Sequence, residues 1–532
     1  MSISQPAAAR LVASALPGLE LLPESAARER SAAVIDLGSN SWRCVAYRYM
    51  PDGPWRLIGK VQEPVRIAKG LAATGRLDPL RTARGLDALE AFAQYARALG
   101  VDDEDIVVVA TSALREADDG AEVINRAAAL TGLEIRTLPA HEEARYSYVA
   151  AVNSTTLTDG LTLDLGGGSL QLVRVRDRTI DDMASWPLGA VRISEEFLAG
   201  DRATSRKRLK RARAAIRRQL GDLERLSPAE PRIVGMGGAV RNLATAALRA
   251  WHPVVPGVQG YRVGAKELGE LVDMLARRPV ARRALPGIKS ARADIVLGAA
   301  LVLEAVVDLT GAEALEVTRA GLREGVFFAT RLRAETSPLF GDVRVSAVRN
   351  LAAQQGVDLS RAEHVADLAL GLQGSVCEAT GIRPAADEPE LLWAAAMLHD
   401  VGPSVDYDGQ PSRARYVVLN SGLYGHGPRE VALIAQIVRY QRKGTPSLDD
   451  LAALARPRDR ELVARCALVL RLALQLAPGP NPVIRDAQLV RDGDGLRVEL
   501  RGDERFARWV LARQAEDDVF SATFGRRLRA AD

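Results

Sequence analysis

The chain has 532 residues, 47% hydrophobic and 26% charged, so at roughly 100–200 residues per domain it holds several cores and is neither disordered nor fibrous as a whole. Lys+Arg 71 nearly balance Asp+Glu 67, and a net charge of +4 by itself implies no polyanionic partner; no nucleic-acid partner is expected. Three scattered cysteines, Cys44, Cys377 and Cys466, are too few for a disulfide framework or a Cys-based zinc module, which makes a reducing cytoplasm the expected location.

Residues 1–30 read as a loose extension with no unbroken signal-like apolar run. The most apolar stretch, residues 295–309, is interrupted by Glu304 and Asp308 and falls short of the ~20 apolar residues a membrane span needs, so no membrane is expected. Strand patterns at residues 32–36, 42–49 and 55–62 form a predicted meander, followed by alternation: helix 79–99, strand 106–110, helix 121–130, strand 134–138 and helix 142–152. The pattern then restarts with strands at 161–165, 170–175 and 179–186, helices near 191–198 and 204–226, a strand at 232–236 and helices at 240–248 and 266–275. A strand at 314–318 and a helix at 322–333 close this region. Helical spacing dominates from Val343 to Ala477, and after Pro478-Gly479-Pro480 a hairpin and a helix form a small α+β tail. The predicted divisions are 31–141 and 142–335 for two lobes, 343–477 for the helical domain and 483–532 for the tail.

Asp36-Leu37-Gly38-Ser39-Asn40-Ser41 and Asp164-Leu165-Gly166-Gly167-Gly168-Ser169 each lie between the first and second strands of their halves, which makes duplication the economical reading. A glycine turn lets backbone N–H groups approach an anion and a Ser hydroxyl adds a donor, while an Asp at the strand end can hold Mg²⁺ near bound phosphate; the alternative is a pair of plain hairpin turns. Gly237 and Gly238 feed a helix N-terminus, which is either an anion site or an ordinary βα turn. Arg115 follows a strand and offers a phosphate-matching fork, unless Glu116 or Asp118 pairs with it. Adjacent Glu142 and Glu143 cannot share a helix face: one can meet a cleft as a general base, or both simply suit the helix dipole. Residues 202–218 carry nine Lys/Arg and no acid, either a solvated helix face or a phosphate-attracting one.

These motifs, together with Thr111–Ala117, Gly235–Gly238 and Gly321–Gly325 in this order, resemble the exopolyphosphatase/guanosine pentaphosphate phosphohydrolase family of the actin–hexokinase superfold. The resemblance implies two ribonuclease H-like lobes, Asp-Gly loops that bind phosphate and Mg²⁺ through Asp36 and Asp164, Glu143 as base with Glu142 second, and Arg115 on the substrate. It implies stepwise Mg²⁺-dependent release of orthophosphate from linear polyphosphate by a homodimer with a basic channel. Guanosine pentaphosphate hydrolysis is the nearest rival, a weakly catalytic sensor of polyphosphate or alarmone a second, and a kinase a third.

Gln171 stands where that family usually has Glu, which implies weaker metal binding, and Ala239 replaces a common hydroxyl residue. The helical domain resembles the HD-type metal phosphohydrolases: His364 and His399-Asp400 match the start of the ligand pattern, but residues 409–413 lack its later histidines and His426 lies in a glycine-flanked loop. A non-catalytic HD-like domain is expected.

Overall fold

The computed structural model describes residues 29–226, 231–252, 254–255, 257–333, 336–402, 406, 408–514 and 518–529, with side chains of 512–514 left aside. Most of the expected N-terminal extension and the expected lobe end at 335 lie outside these residues. The described residues fall into two compact units, one ending at Val343 and one starting at Arg344.

The first unit contains two sheets. In the first, β1 (Arg30–Leu37), β2 (Trp42–Tyr49) and β3 (Trp55–Glu63) form an antiparallel meander, and β4 (Ile106–Ala110) and β5 (Ile135–Thr137) add parallel to β1, giving the order β3-β2-β1-β4-β5. The run Ala32-Ala33-Val34-Ile35 is buried throughout, as a strand covered on both faces requires.

The second sheet repeats this order. β6 (Gly160–Leu165), β7 (Leu170–Arg176) and β8 (Thr179–Trp186) form the meander, and β9 (Ile233–Met236) and β11 (Ala314–Val317) add in parallel. β10 (Tyr261–Gly264) adds an antiparallel edge to β11, so the order is β10-β11-β9-β6-β7-β8. That edge strand is absent from the sequence reading; four residues leave no room for a period-2 signal. The expected helix 322–333 is α-helical only over Leu322–Phe327 and then widens to a π-helical turn at Phe328–Leu332, where Phe328 packs against Trp55 and Phe340.

The second unit is helical from Val343–Gln354 through Asp459–Leu476. A hairpin of β12 (Ile484–Asp492) and β13 (Gly495–Gly502), the helices Glu504–Gln514 and Asp518–Phe524, and the short β14 (Leu528–Arg529) follow. One hydrophobic core runs from Val348 and Leu372 through Leu476 to Ile484, Leu496 and Phe520, so the tail and the helices share their apolar burial. No helix among the described residues is long and apolar enough to cross a membrane.

Candidate active site

The chemistry-bearing loops sit where a parallel sheet gathers them, at the carboxyl ends of its strands. β1 ends at Asp36 and Leu37, β4 leads into Thr111 and Ser112, β6 ends at Asp164 and Leu165, and β9 leads into Gly237 and Gly238; residues from all four ends line one cleft of about 100 Å³.

The three glycine turns close on one another because side chains are missing. A Cβ on Gly168 would stand 2.5 Å from Ser112 Oγ, and one on Gly167 would stand 3.0 Å from the Ser39 Cβ, so the second loop packs directly on the first. Ser39 Oγ and Ser112 Oγ share a hydrogen bond of 2.8 Å across that seam. Gly237 has φ 103°, left-handed backbone that favours glycine, and a Cβ there would come within 2.5 Å of the Leu165 carbonyl. Gly238 then opens the helix Gly238–Trp251 with its amide end beside the cleft.

Three carboxylates face this space: Asp36, Asp164 and Glu143. Asp36 accepts from Arg323 Nη1 at 3.0 Å, a pair in which both residues are buried. Asp164 Oδ2 accepts from Ser147 Oγ at 2.6 Å, and burial still holds its carboxyl above the usual range despite that bond. Glu143 is 7% exposed, and its carboxyl is pushed up to about 7, first by burial, with Arg115 opposing and Asp164 adding repulsion.

The acidic pair divides as helix geometry requires. On the helix Ala140–Val152, Glu143 lines the cleft while Glu142 turns away to an ion pair with Arg136. Arg115 does not line the cleft. Its Nη1 donates to the Leu138 carbonyl at 2.6 Å and to Glu143 Oε2 at 3.1 Å, so it holds the carboxylate rather than the space in front of it. Glu116, its suspected partner, pairs with Arg192 instead. Gly38, Ser39, Asn40, Ser41, Gly166, Gly167 and Ser169 all line the cleft, and Gly168 stands behind, against Ser39 and Ser112.

Gln171 is buried at the register position opposite Asp164, outside the cleft lining, and its Nε2 donates to Ser169 Oγ at 2.8 Å. It orients a loop hydroxyl from behind. Ala239 is also buried outside the lining.

Sequence reasoning missed the cationic wall. Arg43, Arg241, Arg292 and Arg323 converge on the cleft from four separate segments. Burial and then the neighbouring guanidinium groups pull Arg43 well down from its ordinary value, lower Arg241, and pull Arg292 down to about 10. Buried cations that repel one another call for an anion between them. Adjacency was the available signal for three of them, since Arg43 follows the first loop, Arg241 follows Gly238 and Arg323 lies in the Gly321–Gly325 motif; Arg292 had none.

In the second unit, His364 Nε2 bonds the Ile484 carbonyl at 2.8 Å and His399 Nδ1 the Ala396 carbonyl at 2.6 Å. His426 Nδ1 bonds the Tyr424 carbonyl at 2.9 Å, and Asp400 pairs with Arg361 at 3.5 Å. Among the described residues, no three His, Cys, Asp or Glu side chains gather as a metal cluster would need.

Two sheets of repeated order around a glycine-walled, arginine-lined cleft define the actin–hexokinase type of phosphate-handling fold. The Ppx/GppA phosphatase family matches residues 50–334, and its domain III matches residues 343–507. The chain belongs to the Ppx/GppA phosphatase family, a family of hydrolases. Among solved structures, it resembles the Ppx/GppA family member of Aquifex aeolicus, at 24% identity and TM-score 0.51, over 58% of this chain and 100% of that one. It likewise resembles an exopolyphosphatase from Cytophaga hutchinsonii, at 21% identity and TM-score 0.54, over 58% of this chain and 100% of that one.

Proposed function

We propose that the protein is an exopolyphosphatase, which hydrolyses the terminal phosphoanhydride of linear polyphosphate and releases orthophosphate one unit at a time. The observation that carries the reading is the cleft's chemistry: a wall of guanidinium groups and glycine turns, two buried carboxylates with raised proton affinity, Glu143 and Asp164, and no aromatic side chain in its lining. A guanine base would want a stacking partner; an inorganic chain wants only charge and N–H donors. The rival substrate, guanosine pentaphosphate, is less well served.

The residues divide the work of a phosphoryl transfer to water. Backbone N–H groups of the three glycine turns and the hydroxyls of Ser39 and Ser41 hold the terminal phosphate. Arg43, Arg241, Arg292 and Arg323 offset its charge, more so as oxygens gain charge in the transition state. Glu143 accepts the proton of the attacking water, with Arg115 fixing its orientation; a base whose carboxyl ionises near neutral pH combines availability with proton affinity. Glu142 is left outside this scheme by its pairing with Arg136.

Asp36 and Asp164 suit Mg²⁺. It favours one or two carboxylates completed by waters and phosphate oxygens over a full protein cage, and Asp164 is a buried carboxylate whose charge is only partly offset. Bound there, the cation would neutralise phosphate oxygens. Gln171, which adds no carboxylate to the cleft, favours modest metal affinity. We further assign a cytoplasmic homodimer and a non-hydrolytic, HD-like helical domain.

The test is orthophosphate release by the purified protein with Mg²⁺ from long polyphosphate, guanosine pentaphosphate and ATP in parallel. Polyphosphate should be hydrolysed with the highest kcat/KM, and a preference for guanosine pentaphosphate would replace the assignment.

A further inference from the structure

A second cavity has no part in this chemistry. It lies wholly within the second unit, has a volume of about 790 Å³, and is of the size small organic ligands occupy.

Its lining has three characters. Arg361, Arg439, Arg442, Lys443 and Arg471 contribute five cations against the three carboxylates of Asp400, Asp406 and Asp408. The acids are already engaged, Asp400 by Arg361, Asp406 by Arg413 and Asp408 by Lys443 at 3.9 Å, so the surplus is positive. Phe506 and Trp509, one turn apart on the helix Glu504–Gln514, form an aromatic lip with ring centroids 6.3 Å apart. Trp509 is 60% exposed, an unusual cost for the largest side chain in a unit with ample core.

The polar part of the lining is rigid. Gln410 Nε2 and Gln441 Nε2 each donate to the His399 carbonyl at 2.9 Å, and Gln441 Nε2 also meets Gln410 Oε1 at 3.1 Å. Because a carbonyl can only accept, His399 Nδ1 carries the proton toward Ala396, which makes Nε2 an acceptor. That Nε2 and Gln441 Oε1 are buried acceptors with no hydrogen-bond partner among the described residues. Both lie beneath the surface that a cavity ligand would touch.

We propose that this cavity is a second ligand site that binds a purine nucleoside diphosphate without hydrolysing it, the base on Trp509 and Phe506 and the phosphates on the arginine and lysine side. Stacking explains the exposed tryptophan, which an inorganic phosphate chain would not use. The site lies outside the catalytic cleft and shares no residue with it.

The probe is ADP, titrated calorimetrically into the full-length protein in EDTA, with Trp509→Ala, Arg439→Gln and, as a catalytic-cleft control, Arg292→Gln. The wild type and Arg292→Gln should bind one ADP per chain with equal affinity. Trp509→Ala should weaken binding at least about fivefold, the lower end of a base–aromatic stack, and Arg439→Gln should weaken it too, with all variants melting alike by circular dichroism. No ADP binding to the wild type up to about 1 mM, or weakening by Arg292→Gln as large as by Trp509→Ala, would overturn the site. Orthophosphate release by Trp509→Ala from tripolyphosphate bears only on the phosphatase reading, so the two stand or fall separately.

Discussion

Arg323 Nη1 donates to Asp36 Oδ2 at 3.0 Å, a buried ion pair that ties the last glycine motif to the first loop across 287 residues of sequence. Removing one partner of such a pair strands the other charge. Arg323→Ala should therefore lower stability by about 3–5 kcal/mol, read as a fall in Tm, and depress orthophosphate release more than any other single arginine change in the cleft. Arg323→Lys keeps the charge without the planar fork and should fall between the two.

Glu143 ionises near pH 7 in the free protein, so kcat/KM for polyphosphate should rise with pH through about 7. Arg115 favours the charged form, so Arg115→Ala should raise the carboxyl further and move the acid limb of the profile to higher pH. A change in rate with no movement of the limb would mean that Arg115 acts some other way.

The same carboxylate lowers stability. Its folded value lies above the ordinary 4.5, so the stability of the protonated form is fully present below 4.5 and is lost as pH rises through about 7, where the buried anion forms. Glu143→Gln should then melt above the wild type at pH 8 and close to it at pH 5. Equal melting differences at both pH values would show that Glu143 is not buried as an anion.

The basic helix Arg206–Gln219 spends Arg213 on Glu304 and Arg217 on Asp308, leaving Arg206, Lys207, Arg208, Lys210, Arg211 and Arg218 exposed without a carboxylate among the described residues. Exposed cations bind long polyanions by releasing counterions. Replacing Lys207, Lys210 and Arg211 by Gln should flatten the salt dependence of KM for long polyphosphate and leave tripolyphosphate unchanged. An unaltered slope would make this helix a solvated face.

Where a feature was local, it was legible. A strand, an Asp and a glycine turn are contiguous, so both Asp-Gly loops and the duplication they mark could be read from residues 36–41 and 164–169 and correspond to the repeated sheet order. The split of Glu142 from Glu143 followed from helix geometry, but which one faces the cleft depends on Arg136 and Arg115, whose positions come from packing. The cationic wall was hidden because Arg43, Arg241, Arg292 and Arg323 are brought together only by the tertiary fold. Arg115 read as a substrate contact because its motif does not reveal that the Leu138 carbonyl and Glu143 hold its guanidinium. The shared core of the tail and helical region was equally invisible, since Ile484 and Leu476 belong to one core although a breaker cluster that reads as a boundary lies between them in sequence.

The most direct test of the account is the time course of long polyphosphate with Mg²⁺, followed by orthophosphate release and by gel length of the remaining chain, for wild type, Glu143→Gln and Glu142→Gln. The account predicts terminal, stepwise shortening by the wild type, a ~10²–10⁴-fold loss in Glu143→Gln with the fold intact, and a change of no more than a few-fold in Glu142→Gln. Hydrolysis by Glu143→Gln at the wild-type rate, or a collapse confined to Glu142→Gln, would contradict it.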